Sequence, residues 1–471
     1  MRRRLWPVAV GVLVLAGIVL RIVFLRGPWG TVDSDEAVVG LMARAMRAGH
    51  WRAFYWGQHY AGTQETALVA AAGASRAALK IVPAALSAVV SVLTWRVGRR
   101  VVEERVAQAA ALLCWVAPGP YTWWSTKERG FYWVSLALGL VLVLSAQRLA
   151  TGRRPRADGV ALGLAAGLGF WASPTVLYFA VPTGLWLLAR RHRPWKGLVV
   201  AVPAAVVGAL PWLVHNVGHG WPSLDRPSQP EQVGYVSALG RLLWRAFPMA
   251  LNLRYPISER WLVPKLAALA YLGLGACFIV AVIRRRSRPA LLLAFLGTFP
   301  FIYAWFPGAW FVGEGRYVVF AVPVVALAVA WLVRRPEVVL AIAAVSAALS
   351  FVVVRPMGPE QPRRIGEDLA ALRSAGVDHL WADYWNAYRL GFSSGGWLVA
   401  SSAVSSRERS VYDAVRRDRT PAFLFPHGDP RATRLVSALM ETTRVVHTPH
   451  FDVVLADGPV DPATLPPGWV P

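Results

Sequence analysis

Apolar runs of about 20 residues, separated by short arginine-rich connectors, recur from the start of the chain to about residue 355. Of the 471 residues, 56% are hydrophobic and the mean hydropathy is +0.43. Soluble globular proteins average about 45–50% apolar residues. Because one helix needs about 20 apolar residues to cross a bilayer, the repeated runs predict a polytopic α-helical membrane protein.

The net charge of +24 would suggest nucleic-acid binding in a soluble protein. Here the arginines lie in short loops between apolar runs, which is typical of cytoplasmic loops, so no nucleic-acid partner is predicted. The runs predict about 11 transmembrane helices with a cytoplasmic N-terminus. The predicted spans are Leu5–Leu25, one span within Thr66–Val97, Val106–Trp124, the run ending before Arg148, Asp158–Trp171, Thr175–Leu188, Leu198–Val214, Lys265–Ile283, Pro289–Trp305, Val318–Val333 and Val338–Val354.

The composition changes after Arg355, where short strand-like segments alternate with helical ones. This alternation predicts a small α/β domain over residues 356–471, joined to a transmembrane domain over residues 1–355. An odd number of spans places it outside the cytoplasm. The predicted strands are His379–Tyr384, Trp397–Ser401, Ala422–Phe425 and Phe451–Ala456, and the predicted helices are Arg363–Ala375, Arg407–Arg417 and Pro430–Thr442.

Asp33, Asp35 and Glu36 directly follow the first apolar run, in a predicted outer loop over residues 26–65. Acids at a membrane rim are costly to desolvate, so a function is a reasonable hypothesis. One carboxylate could deprotonate an acceptor hydroxyl while its neighbours orient it or hold Mg²⁺, Ca²⁺ or Mn²⁺. The alternative is a helix start, because Asp33 and Glu36 have capping-box spacing.

Two further groups of polar residues fall on the predicted outer side. The first follows several aromatic residues and suits sugar binding, although aromatic residues at membrane ends also form interfacial belts. The second contains cations that suit a lipid phosphate, although such cations also extend toward lipid headgroups. The first group is Gln58, His59, Tyr60 and Glu65, and the second is Lys127, Glu128, Arg129, Arg316 and Tyr317.

Cysteine and histidine positions give no metal or disulfide signal. Cys114 and Cys277 lie inside apolar runs, where they are predicted to be free thiols. His447 and His450 are predicted to be surface residues. No metal site is predicted there, because no further ligand is nearby in the sequence.

Several short motifs resemble those of the GT-C fold membrane glycosyltransferases, which include the protein O-mannosyltransferases, the bacterial aminoarabinose transferases and bacterial family-39-like members. The likeness covers roughly residues 1–350 in the order of the spans. Many relatives have an aspartate in the second outer loop, where this chain has Glu128. The motifs are Asp35-Glu36 after the first span, Tyr60 to Glu65, Gly130-Phe131-Tyr132 and Gly315-Arg316-Tyr317.

The resemblance implies a GT-C-like enzyme that transfers a hexose or pentose from a polyprenyl-phosphate donor to a hydroxyl of a glycan, glycolipid or protein. It implies Asp35 as the base, with Glu36 and Asp33 orienting it or binding a metal. Lys127, Arg129 and Arg316 would then hold the phosphate. We expect the enzyme in a bacterial plasma membrane, acting at the outer face.

Two alternatives are a polytopic transporter and a non-catalytic membrane protein with an outer binding domain. Transporters place ionisable residues near the membrane midplane, often in repeated halves. Here the charges lie at the ends of the predicted spans, which favours the enzyme.

Overall fold

A computed structural model describes residues 5–27, 30–191, 194–225, 233–285, 289–306, 308, 311–355, 365–439, 443–458, 460–466, 468 and 471. Outside these ranges lie the arginines at positions 2–4, 286 and 288 and the first residues of the predicted C-terminal domain, 356–364.

Helices dominate the described chain up to residue 355, and each predicted span falls on at least one of them. They are α1 (Leu5–Arg26), α2 (Ser34–Arg47), α3 (Gln64–Ala71), α4 (Ala78–Gly98), α5 (Glu104–Val116), α6 (Gly119–Trp124), α7 (Tyr132–Leu149), α8 (Pro155–Ala172), α9 (Leu177–Leu188), α10 (Trp195–Gly208), α11 (Leu210–His219), α12 (Tyr235–Arg241), α13 (Phe247–Ala250), α14 (Pro264–Arg284), α15 (Ala290–Trp305), α16 (Val322–Val333) and α17 (Pro336–Val354).

Within the described residues, five helices are long and apolar enough to cross a membrane, namely α1, α4, α7, α14 and α17. Helices α10 and α11 would make a sixth span, although they are bent by 57° at their junction. Shorter apolar segments lie at Pro174–Leu188, Ala290–Trp305 and Val318–Val333. The protein is therefore a helical membrane protein, while the predicted count of 11 spans is not confirmed. The predicted span Val106–Trp124 is divided into α5 and α6, with Pro118 at the break.

Small residues allow α8 and α10 to approach closely. A Cβ at Gly163 would lie 2.1 Å from the backbone oxygen of Ala201, and one at Gly167 would lie 2.0 Å from that of Ala205. Glycines spaced four apart are typical of tight helix pairs in membranes, where packing rather than hydrophobic burial drives association. The turn at Ser173-Pro174, between the predicted spans Asp158–Trp171 and Thr175–Leu188, joins α8 to α9.

The C-terminal residues form a five-stranded sheet in the order β2-β1-β3-β5-β4. Strands β2, β1 and β3 are parallel, whereas β5 is antiparallel to both β3 and β4. Buried Trp381, Phe423 and Val454 form a core on the sheet. The elements are β1 (His379–Trp381), β2 (Val399–Ser401), β3 (Ala422–Pro426), β4 (Arg444–His447), β5 (Phe451–Leu455), α18 (Gly366–Ser374), α19 (Tyr384–Ser393), α20 (Arg409–Arg416) and α21 (Pro430–Leu439).

The predicted α/β pattern is present, with three differences. Strand β4 and helix α19 were not predicted, and the predicted strand His379–Tyr384 is wrong at its end, because β1 stops at Trp381 and α19 begins at Tyr384. The side chain of Asp383 accepts a hydrogen bond from the amide of Trp385 and so caps this helix.

Helix α19 packs directly on α2, which carries the acidic residues. A Cβ at Gly40 would lie 2.3 Å from the ring of Phe392, so glycine allows the two helices to meet. Arg44 donates to the Phe392 carbonyl at 3.0 Å, and Ser34 donates to the carbonyl of Trp385. The C-terminal domain therefore covers the start of α2.

Candidate active site

The start of α2 fixes the three acidic side chains. Asp33 accepts a hydrogen bond from the amide of Glu36 at 3.1 Å, and Glu36 accepts from the amide of Asp33 at 3.3 Å. This reciprocal pair is the capping box that the sequence indicated as the alternative to function. It also fixes Asp35 in the first turn, so capping and catalysis are compatible.

Glu36 lies in a buried cluster of charges. Its carboxylate contacts the ammonium groups of Lys80 at 2.5 Å and Lys127 at 2.9 Å, and its side chain is 0% exposed. Burial lowers the pKa of the Lys127 ammonium, but Glu36 and Asp33 outweigh this effect and raise it above its ordinary value. Lys127 also donates to the carbonyl of Thr31 at 2.7 Å. The negative charge of Glu36 is therefore balanced by two lysines within the protein.

Asp33 is held by Arg129. The guanidinium donates to the two carboxylate oxygens at 2.6 and 2.9 Å, a bidentate arrangement. Burial raises the pKa of the Asp33 carboxyl, but Arg129 and Lys127 together hold it well below its usual range. Asp33 thus stays ionised and paired with Arg129.

Asp35 has a different environment. The hydroxyl of Tyr384 donates to its Oδ1 at 2.5 Å, and the hydroxyl of Tyr55 donates to its backbone carbonyl at 3.0 Å. Its Oδ2 lies 3.8 Å from Arg129 Nε and 4.0 Å from Arg316, beyond hydrogen-bond distance. No other described residue donates to Oδ2, and the side chain is 18% exposed. This oxygen is free to accept a proton.

Arg316 is half-buried between two aromatic rings. Its guanidinium carbon lies 5.3 Å from the centre of the Trp124 ring and 5.2 Å from that of Phe311. It forms an ion pair with Glu314 at 3.0 Å. Burial lowers the pKa of Arg316, but Glu314 and nearby anionic groups raise it above its ordinary value, so it stays cationic.

Arg407 joins the site from the C-terminal domain, and sequence reasoning missed it. Its guanidinium lies 5.0 Å from the centre of the Tyr384 ring. Burial lowers the pKa of Arg407, but Tyr384, Tyr55 and Asp35 raise it above its ordinary value. Its Nε is buried without a hydrogen-bond partner among the described residues. Tyr384 and Tyr55 were missed as well. Asp383, a favourable N-cap residue, could have indicated the start of the helix that carries Tyr384.

Glu65 and Glu128 form a buried pair without a cation. Glu65 accepts from the amides of Trp133 and Val134, both at 3.0 Å, and so caps the start of α7. Burial raises the pKa of Glu65 to about 7. Burial and the neighbouring Glu65 raise the pKa of Glu128 well above its ordinary value. Glu65, predicted as a sugar ligand, has its Oε2 committed to the backbone of α7.

Four predicted site residues remain, and they do not all lie beside Asp35. Tyr60 lies close enough to Arg316, Arg407 and Asp35 to feel their charges, and burial raises its pKa to about 12. Tyr317 packs 5.4 Å from the ring of Phe306. His59 instead faces His215 of α11 at 3.3 Å, and it has no described contact with Asp35. The side chain of Gln58 buries its Oε1 without a described partner.

The carboxylates of Asp33 and Glu36 do not fit the predicted divalent metal. Both oxygens of Glu36 contact lysines, and both oxygens of Asp33 contact Arg129. A metal ion there would displace these cations and lie among three positive charges. Asp33 and Glu36 therefore belong to an ion-pair cluster with Lys80, Lys127 and Arg129.

A cavity of about 430 Å³ lies at the other end of the helices. Its lining includes Arg100, Gln147 and Arg190, and none of the predicted site residues. Arg100 follows the end of α4, whereas Lys80 stands at its beginning, and the 21 residues between these ends span about 30 Å. The candidate site is therefore the cluster around Asp35.

No protein-family model and no curated protein matches the sequence. Solved structures do match. ArnT from Cupriavidus metallidurans bound to undecaprenyl phosphate is 14% identical, with 97% of this chain and 99% of that chain covered and a TM-score of 0.61. The chain has the GT-C fold of membrane glycosyltransferases. The apo state of the same ArnT matches with 16% identity, 95% and 99% coverage and a TM-score of 0.51.

This GT-C fold was expected from the short motifs around Asp35, Tyr60, Gly130 and Arg316, and the resemblance is confirmed at the level of the fold. An archaeal oligosaccharyltransferase, AglB from Archaeoglobus fulgidus, also matches, with 12% identity, 88% of this chain and 69% of that chain covered and a TM-score of 0.48.

Proposed function

We propose that the protein is an integral membrane glycosyltransferase that moves a sugar from a polyprenyl-phosphate donor to an acceptor hydroxyl at the outer face of the membrane. The observation that carries the proposal is Asp35, a partly exposed carboxylate with one free oxygen, flanked by Arg316 and Arg129. The shared fold with an ArnT that binds undecaprenyl phosphate supports a lipid-phosphate donor.

Asp35 acts as the general base. Its free Oδ2 takes the proton of the acceptor hydroxyl as the hydroxyl oxygen attacks the anomeric carbon of the sugar. The bond from that carbon to the phosphate oxygen breaks, and the polyprenyl phosphate leaves as an anion. Tyr384 fixes the other oxygen of Asp35 through its hydroxyl, so the base is oriented before the acceptor binds.

Arg316 and Arg407 bind the phosphate and stabilise the charge that develops on it. A guanidinium can engage a phosphate through two parallel hydrogen bonds. Arg129 and Lys127, predicted as further phosphate ligands, are committed to Asp33 and Glu36. They contribute positive potential without direct contact. Tyr60 and Gln58 are then nearest to the sugar.

The test is Asp35→Asn in purified, reconstituted protein, with Asp158→Asn as the matched control because it changes a first-turn acid of another helix. Transfer of radiolabelled sugar from undecaprenyl phosphate to an extract of the host envelope should fall roughly 10²–10⁴-fold in Asp35→Asn alone. Thermal unfolding and donor binding should be preserved. A well-folded Asp35→Asn protein with normal transfer would overturn the proposal.

The outer location of the site has its own test. In a Cys277→Ser background, Ser405→Cys in the C-terminal domain should react with a membrane-impermeant maleimide in intact cells. Thr151→Cys, in an exposed connector between α7 and α8, should react only after lysis. The reverse pattern would place the site in the cytoplasm.

A further inference from the structure

Three strands of the C-terminal sheet bring two histidines and an aspartate together. Asp452 in β5 pairs across the sheet with His447 at the end of β4 and with Phe425 of β3. His427 follows β3 directly. His427 lies 25 residues before Asp452 and His447 lies 5 residues before it, and the antiparallel pairing of β5 with both neighbours makes the three side chains adjacent.

The ligand atoms converge on one point. Nδ1 of His427 lies 2.7 Å and Nδ1 of His447 lies 2.8 Å from the same oxygen, Oδ1 of Asp452. The amide of Gly428 donates to the other oxygen, Oδ2, at 3.0 Å and fixes the orientation of the carboxylate. A ligand held by a backbone donor in this way is typical of metal sites.

We propose that His427, His447 and Asp452 bind a divalent transition metal ion of the Zn²⁺ class. The three ligand atoms all lie within 4.8 Å of one another, so small side-chain movements bring them to metal-ligand distances. Imidazole nitrogens select zinc, copper or nickel, whereas magnesium and calcium prefer oxygen ligands alone. The side chains of His427 and His447 are 48% and 73% exposed, which leaves room for water to complete the coordination.

The charge of the cluster suits a cation. The Asp452 carboxylate accepts hydrogen bonds from the Gly428 amide and from both imidazoles, and this set of donors favours the anionic form. Without a metal ion, both imidazoles must share one acceptor oxygen, and a bound cation would replace the two Nδ1 protons. Metal binding should accordingly release protons and weaken in acid.

A metal ion at this site would cross-link the sheet. Strand β4 is one of the two edge strands of the sheet and is mostly exposed. The metal would tie its end to β5 and to the turn after β3. Because β1 and β3 are parallel, the turn after β3 and Tyr384, which follows β1, both lie at the carboxyl ends of these strands. The metal site is structural and distinct from the site around Asp35.

The test uses the full-length protein in detergent, freed of any purification tag and stripped of metal. Zn²⁺ binding is measured by titration calorimetry, and Co²⁺ binding by visible absorption. His427→Ala and His447→Ala change exposed side chains, so both variants should fold. His379→Ala is the matched control, because His379 pairs with Asp418 at 3.2 Å and no third metal ligand lies beside it among the described residues.

Wild type and His379→Ala should bind one equivalent more than either ligand variant, or bind it at least about tenfold more tightly. That equivalent should be lost at pH 5.5 and should raise the midpoint of thermal unfolding. Other histidine clusters, such as His59 with His215, contribute equally to all variants. Equal binding by wild type and His447→Ala, or no binding by wild type, would overturn the proposal.

Discussion

Asp35 and Glu36 are adjacent in sequence, but their carboxylates differ in burial and in their distance from cations. Glu36 is fully buried and contacts two lysines at 2.5 and 2.9 Å, whereas Asp35 is partly exposed and its nearest cationic nitrogens are 3.8 and 4.0 Å away. Successive residues of a helix point about 100° apart. This rotation directs the Glu36 side chain toward Lys80 and Lys127 in the membrane domain and the Asp35 side chain toward Tyr384 in the C-terminal domain.

Under the proposed function, the difference separates a structural carboxylate from a reactive one. A buried charge is retained only when partners compensate for its lost hydration. Glu36 has such partners, and neutralising it would leave Lys80 without its carboxylate, whereas Lys127 would keep Asp33 at 3.3 Å. The Oδ2 of Asp35 accepts no hydrogen bond from a described residue, and its two arginine contacts are long, at 3.8 and 4.0 Å. We therefore expect substitutions at residue 36 to change stability and substitutions at residue 35 to change the reaction rate.

Glu36→Gln should give the largest loss of stability. Gln keeps the size of Glu and can complete a capping box, so the change removes mainly the charge. Removing one partner of a buried ion pair typically costs about 3–5 kcal/mol. The measurement is thermal or denaturant unfolding in detergent, with Asp35→Asn as the control, expected to lose about 1 kcal/mol or less. Similar losses in both variants would contradict the distinction between the two acids.

Arg316→Ala should weaken use of the lipid donor by about 10- to 100-fold in kcat/KM, since a charge-assisted hydrogen bond contributes about 1.5–3 kcal/mol. Arg316→Lys should restore only part of the loss, because lysine cannot bind phosphate bidentately. Transfer is measured against donor concentration. Arg245→Ala is the control, because Arg245 forms an exposed ion pair with Glu259. An unchanged donor dependence would remove Arg316 from the site.

Glu128→Gln tests a third kind of carboxylate, buried without a cation. A pKa of Glu65 near 7, above its ordinary value of 4.5, means that the folded protein binds more protons than the unfolded chain between these values. Stability should therefore fall as pH rises from about 4.5 to 7. The pKa of Glu128 is itself raised well above its ordinary value by burial and by Glu65, so Glu128→Gln should remove its share of this dependence and raise stability at pH 8 by on the order of 1–3 kcal/mol. Thermal unfolding at pH 5.5 and 8 measures it, and parallel curves for variant and wild type would contradict it.

The sequence predicted the acidic motif and the apolar helices, because each depends on local composition and spacing. Asp33 and Glu36 have capping-box spacing, and the structure forms that box. Lys127 and Arg129 were predicted to hold a phosphate, and the structure pairs them with Glu36 and Asp33 instead. Local pattern could not predict which acid has its charge balanced, because that depends on Lys80, which lies in an apolar helix 44 residues beyond Glu36.

The contribution of the C-terminal domain was also beyond local pattern. Tyr384 reaches Asp35 from 349 residues away, and Arg407 joins it because β1 and β2 are parallel and end at the same edge of the sheet. For His447 the sequence reasoning found no further metal ligand nearby and overlooked Asp452, which is 5 residues away and lies beside it because β4 pairs with β5. Contacts between distant segments are set by register and docking, which spacing along the chain does not encode.

Tyr384→Phe should give the smallest effect of the four changes and is the most direct test of the contact between the domains. Phe keeps the ring that packs 5.5 Å from Tyr388 and removes only the hydroxyl that orients Asp35. Losing one hydrogen bond to a charged group should lower kcat by up to about tenfold, with little change in KM for the donor. Tyr412→Phe is the control, because its ring packs on Trp381 in the sheet core. If Tyr384 served only to dock the domain, Tyr384→Phe would lower the unfolding temperature and leave kcat unchanged. A reduced kcat with normal stability would instead show that the C-terminal domain sets the orientation of the base.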